Sequence, residues 1–390
     1  MSTSPDTSGI PAPTARPASS TTDHGHLPVL VVGGGQAGLA TSYHLTRAGI
    51  EHQVLDAERR TGDQWRRLWD SLELYSPARL DGLPGLPFPG PGDRFPTKDE
   101  VADYLEDYAA RFALPVQHQI RATRLSRPAG ADGPFLVESP EGRRTADAVV
   151  LTTGTFGRAP AVPELAGALD PAIYQLHSSD YRRPEQLPDG PALVVGASHS
   201  GHDIAHELAA HRPTVLAGRD CGQIPLPLHS RRMRAAFPVL WFVWGHVMNR
   251  HTPVGRRMLV HTRHHGGPAL RWKRADLLAA GVERLEERVT GVVDGRPQLA
   301  GGRVLDVRSV VWATGYRHTL DWVELPVLGE DGWPREQDGV ATDVPDLYFC
   351  GLSFQTSFRS MLIGGAGEDA ARVVQQVTAR HGAAARAAAA

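Results

Sequence analysis

From Leu27 onward the chain alternates short apolar runs with stretches whose apolar residues recur at helical spacing. The run "LPVLVV" is continuous, as in a strand buried on both faces, and the sequence predicts a strand over Pro28 to Val32. A glycine-rich turn follows. Next come an amphipathic helix over about Ala37 to Ala48 and a second strand ending at Asp56. The same order returns with a strand over Ala192 to Val195, a turn, a helix over about Gly201 to Ala210, and a strand over Thr214 to Ala217. Between the two units lie an aromatic, basic stretch "GDQWRRLWDSLELYSP", a proline-rich loop "DGLPGLPFPGPGDRFP", and an amphipathic helix "KDEVADYLEDYAARF". Strand, turn, helix and strand given twice predict an α/β protein with two Rossmann-like dinucleotide-binding domains.

The turns themselves say what the units bind. The first is Gly33-x-Gly35-x-x-Gly38. Its three glycines permit a tight turn, close approach of a pyrophosphate to the backbone, and close packing of helix on strand. The helix start, with Gln36 and Ala37, offers free N–H groups and a positive dipole end to phosphate. Asp56 is placed to accept from a ribose hydroxyl. The second turn reads Gly196-x-Ser198-x-x-Gly201, with Ser200 on the helix start, and Ser198 can donate to a phosphate oxygen. Where the first unit has Asp56, the second has Gly218 and then Arg219. Loss of the acid removes repulsion toward a 2′-phosphate, and a guanidinium can pair with it, which favours NADPH over NADH.

Composition narrows the function classes. The formal charge of the 390 residues is −2, so no global field argues for nucleic acid. Cys221 and Cys350 are the only cysteines and form no Cys-x-x-Cys pair, which excludes a dithiol mechanism and fits a reducing compartment. Residues 1–27, rich in Pro, Ser and Thr, read as a disordered tail without a secretory signal, and 379–390 as a low-complexity tail. No apolar run is long enough to cross a membrane, and a cytoplasmic location is expected. The sequence sets no oligomeric state.

Together "GGGQAGLA", "GDQWRRLWDSLELYSP" and "FPTKDEVADYLEDYAARF" resemble the FAD-binding half of class B flavoprotein monooxygenases, the group of flavin-containing, YUCCA-type and Baeyer–Villiger enzymes. The resemblance spans nearly all of residues 28 to 378. It assigns Gly62, Gln64 and Trp65 to FAD, and implies NADPH as reductant, O2 and a small organic compound as substrates, and a C4a-(hydro)peroxyflavin. "YQLHSSDYRRP" is similar to the second half of a family fingerprint. That likeness gives His177 and Tyr181 a role in coupling domain positions, although Pro171 and Ile173 stand where the family has Phe and Gly. Two apolar strands closing on Thr-Gly, at 148–163 and 309–319, resemble the family's crossings between domains, with Ala313-Thr314-Gly315 the better match. The resemblance therefore implies an NADP-binding domain (161–312) inserted into an FAD-binding domain (28–160 and 313–378), with Thr314, Gly315 and Gly364 near the flavin. Glycines 364, 365 and 367 read equally as a helix-start turn.

Residues 225 to 275 carry ten Lys or Arg and six His but no acid, and enclose the apolar "AAFPVLWFVWGHVMN". Three readings fit: a helix buried between domains, a lid over an apolar substrate channel, and a peripheral contact with a membrane surface. The "HTRHH" cluster has no accompanying carboxylate or thiolate, and no metal is expected. Two rivals to oxygen insertion remain. One is a flavin oxidase or reductase, the other a nucleotide-sensing redox regulator of a partner protein.

Overall fold

The computed structural model describes residues 22–388 apart from 131, 155–158 and 318. Strand β1 (Asp23–Val32) starts five residues before the expected Pro28, because Asp23, His26 and Leu27 already pair with Arg143, Thr145 and Ala146. Residues 23–27 are therefore strand rather than tail, while 1–21 lie outside the described residues. Around β1 a parallel sheet is built from β2 (His52–Leu55), β3 (Val116–Gln117), β4 (Gly142–Leu151) and β10 (Leu347–Phe349) in the order β10-β4-β1-β2-β3.

Alternate side chains of β1 face different layers, as strand geometry requires. Val29 and Val31 pack with Leu39, Tyr43, Leu105, Tyr108 and Val373 from helices α1 (Gln36–Arg47), α2 (Lys98–Arg111) and α6 (Ile363–Ala388). Leu30 and Val32 pack with Leu125, Phe135, Val149, Leu347 and Phe349 on the other face. There an antiparallel pair of short strands (Arg124–Ser126 and Phe135–Ser139) covers the sheet.

The second sheet is wholly parallel. It contains β5 (Tyr174–His177), β6 (Ala192–Val195), β7 (Thr214–Ala217), β8 (Glu283–Leu285) and β9 (Ser309–Trp312), ordered β8-β7-β6-β9-β5. Helix α3 (His199–Ala209) follows the second turn and packs through Ile204, Ala205 and Leu208 on Val194 and Val311. Chain order puts this whole sheet between β4 and β10 of the first. The two connecting segments meet, since Ala159–Pro160 pairs antiparallel with Tyr316–Arg317.

The basic segment forms α4 (Arg231–His246) and α5 (Pro253–His264), capped by the Ser230 and Thr252 side chains. It is not the interdomain core helix that its apolar run allows. Only Met233 and Phe237 of α4 are fully buried, and Val239 and Phe242 are 65% and 58% exposed. At the C-terminus α6 runs unbroken through Ala388, so residues 379–388 continue that helix.

Candidate nucleotide and flavin site

The two glycine turns are built alike to the atom. Gly33 (φ +117°) donates to Leu55 O at 2.8 Å, and Gly196 (φ +110°) donates to Ala217 O at 2.8 Å. A Cβ on Gly38 would stand 1.9 Å from Gly33 O, and one on Gly201 1.7 Å from Gly196 O. Neither position accepts a side chain while its helix starts where it does. Behind the first turn Thr152 Oγ1 donates to Gly33 O at 2.7 Å; behind the second Ala313 N donates to Val195 O at 2.8 Å. Each Thr-Gly crossing thus starts at the back of one glycine turn.

The donor sets fit two nucleotide diphosphates. Helices α2, α4 and α5 have side-chain caps on their first turns, yet α1 (from Gly35) and α3 (from Ser198) have none and carry no acid there. Their first N–H groups have no intrahelical partner and remain available to phosphate oxygens. A Cβ on Gly35 would meet nothing within 4 Å, which leaves the approach to the first turn open. Asp56 is nearly buried beneath Gly34, and loss of water raises its pKa. Gln36 and Ala37 lie on the first turn of α1, and Ser200 on that of α3.

Around the second turn the structure adds what the sequence did not show. Ser198 Oγ donates to Gly267 O at 3.0 Å instead of standing free, and a Cβ on Gly267 would lie 2.5 Å from His199 Nε2. The loop leaving α5 therefore sits on the turn. Burial holds His199 in its neutral form, with its pKa pushed down to about 4, and Nε2 has no hydrogen-bond partner among the described residues. Arg219 is exposed and joins no ion pair among the described residues. Gly218 (φ +141°) packs against Gly196 and Ala197, so the arginine leaves the strand beside the turn.

Between the units, Trp65 packs on both the first-sheet core and the second, while Trp69 is buried wholly in the second. Gly62 (φ +88°) brings this segment against Ala102 O of α2, and Gln64 is exposed and accepts from Arg67. Tyr75 OH donates to Asp203 Oδ2 on α3 at 3.0 Å. Asp203 is buried, which pushes its pKa up to about 6, and Arg271 stands 3.8 Å away. His177 Nε2 donates to Gly315 O at 3.0 Å, and Tyr181 OH donates to Glu207 of α3 at 2.7 Å. The first bond ties β5 to the second crossing; the other ties the following loop to α3. Among the described residues Thr314 Oγ1 is buried without a hydrogen-bond partner. Gly364 has its bare face against Leu80 O, where a Cβ would come within 2.0 Å, so close packing of α6 already requires it to be glycine.

Residues 30–220 match the family model described as pyridine nucleotide-disulphide oxidoreductase. The chain is 35% identical over 351 residues to an uncharacterized CzcO-like oxidoreductase of Geobacillus kaustophilus, covering 90% of this chain and 97% of that protein. It is 27% identical to the probable indole-3-pyruvate monooxygenase YUCCA8 of Arabidopsis thaliana, over 89% of this chain and 88% of the relative. A flavin-containing monooxygenase from Stenotrophomonas maltophilia superposes with TM-score 0.66 at 27% identity, over 91% of this chain and 99% of that one. Sharing sequence and fold along nearly its whole described length with these relatives, the chain belongs to the class B flavoprotein monooxygenase family and is an FAD- and NADPH-dependent oxidoreductase.

Proposed function

We propose that this protein inserts one oxygen atom from O2 into a small, hydrophobic organic substrate, with FAD at the first turn and NADPH at the second. The observation that carries the reading is the pair of uncapped helix starts behind equivalent glycine turns, one on each sheet. Bound FAD, once reduced, supplies the oxygen chemistry. The protein's own part is to hold the nucleotides, set their approach and keep water out. Gly33, Gly35 and Gly38, with the amides of Gln36 and Ala37, would hold the FAD pyrophosphate, and Asp56 its ribose. Gly196, Gly201 and the Ser200 amide would hold that of NADPH, with Arg219 on the 2′-phosphate.

Support for an apolar substrate comes from α4 and the segment before α6. Trp244 lies 5.2 Å from Phe358 between ring centroids, Phe358 lies 6.3 Å from Phe354, and Trp241 reaches to 3.3 Å from a Cβ placed on Gly364. Aromatic rings clustered at the start of α6 would favour an apolar compound over a charged one. The sequence likenesses to monooxygenases support the reaction class.

Stopped-flow spectroscopy tests this. Anaerobic NADPH should bleach the flavin, and mixing with O2 should give a near-ultraviolet transient before oxidised flavin returns. Direct return to oxidised flavin with no oxygenated product from a panel of amines, sulfides and ketones would establish an oxidase instead. Failure of NADPH to bleach the flavin would point to a sensor.

A further inference from the structure

We propose that the outward face of α4 and α5 docks on an anionic lipid surface. The inner face of α4 is occupied, with Met233 and Phe237 buried and Trp241 and Trp244 half-buried against the segment before α6. Its other face is bare. Arg231, Arg232, Ala235, Pro238, Val239, Phe242, His246 and Val247 are all exposed, and they recur every three or four residues along a helix about 24 Å long. On α5, Val254, Arg257, Val260 and His261 repeat the arrangement. Of the eleven large hydrophobic residues most exposed among those described, five lie between 239 and 260, whereas the others are scattered singly.

Charge selects the occupant. No acid occurs from 225 to 275. Some of the cations there are already committed, Arg250 and Arg263 to Glu336, Arg271 to Glu73, and Arg274 to Glu286. Arg231, Arg232, Arg256 and Arg257 have no carboxylate partner among the described residues and flank the exposed apolar positions. Guanidinium groups beside valine and phenylalanine match phosphate headgroups over acyl chains. A second copy fits poorly, because a two-fold contact through this face would set the same arginines against one another.

The test is co-sedimentation of the FAD-loaded full chain with phosphatidylcholine vesicles, with and without phosphatidylglycerol. The parent should bind the anionic vesicles, bind them less at high salt, and leave neutral vesicles free. Each arginine near an anionic surface contributes about fivefold, so Arg256→Gln with Arg257→Gln should lower partitioning roughly 25-fold. Phe242→Ser should lower it several-fold. All variants should keep the parent's flavin absorbance and Tm, since these side chains are exposed. Absence of binding to anionic vesicles at low salt would overturn the proposal, as would equal binding by parent and variants. A dimer seen by sedimentation velocity and lost in Phe242→Ser would overturn it in favour of a second copy.

Discussion

The Arg79 guanidinium donates at 2.8 Å to the carbonyl of Arg234, the group that Pro238 leaves without an amide four residues on in α4. A proline inside a helix normally costs that hydrogen bond. Here a side chain from the segment leading to Leu80 replaces it and fastens α4 beside the start of α6.

Arg79→Ala should therefore destabilise α4 by about 0.5–1.5 kcal/mol, the net contribution of one exposed hydrogen bond that water partly replaces. Losing the partly exposed ion pair with Asp93 adds little. Pro238→Ala restores an N–H, so the double variant should recover most of the loss. Hydrogen exchange over 231–246 measures it, and simple additivity would show that the two residues are not coupled.

Gly38→Ala and Gly201→Ala make the same steric error in different units. The first should yield protein with little bound flavin, read as flavin absorbance relative to protein. The second should retain flavin that NADPH no longer reduces. Equal flavin loss in both would contradict the assignment of one turn to each cofactor.

Arg219→Ala should lower kcat/KM for NADPH about 30- to 100-fold, the equivalent of a charge-assisted pair with phosphate, and change that for NADH little. An unchanged ratio would remove Arg219 from the 2′-phosphate site.

Asp369 lies wholly buried on α6, accepting from Thr356 Oγ1 at 2.5 Å, and burial pushes its pKa up to about 7. The folded protein then holds a proton that the unfolded chain has released above about pH 4. Stability consequently falls as pH rises from about 4 to about 7 and is level above that. Asp369→Asn keeps the acceptor and does not titrate. Its Tm relative to the parent should rise between pH 5 and pH 8, by an amount equivalent to about 1–4 kcal/mol. A pH-independent difference in Tm would show that Asp369 does not titrate in this range.

The β-turn-α-β units were legible because their signal is local. A four-residue apolar strand and glycines at fixed offsets place Gly33 beside Leu55 and Gly196 beside Ala217 with little help from the rest of the chain. Other features had no local signal. Tyr75 and Asp203 are 128 positions apart, and Ser198 and Gly267 are 69 apart. The start of β1 was misplaced because "DHGHL" is polar, and only its pairing with β4 makes it a strand. The apolar run of α4 named a helix but not its covered side, which depends on the position of Arg359 and Phe358. Glycines 364 and 365 announced a close approach, and what approaches includes the chain's own carbonyls at Leu80 and Arg359.

The pairing of Ala159–Pro160 with Tyr316–Arg317 brings the way into the second sheet and the way out of it side by side, about 5 Å apart. A unit attached at one doorway can be removed and the cut ends rejoined without rethreading the host. Topologically it is a very long hairpin loop on the first-sheet unit. Gain, loss or exchange of the whole second-sheet unit thus requires only one compatible splice point.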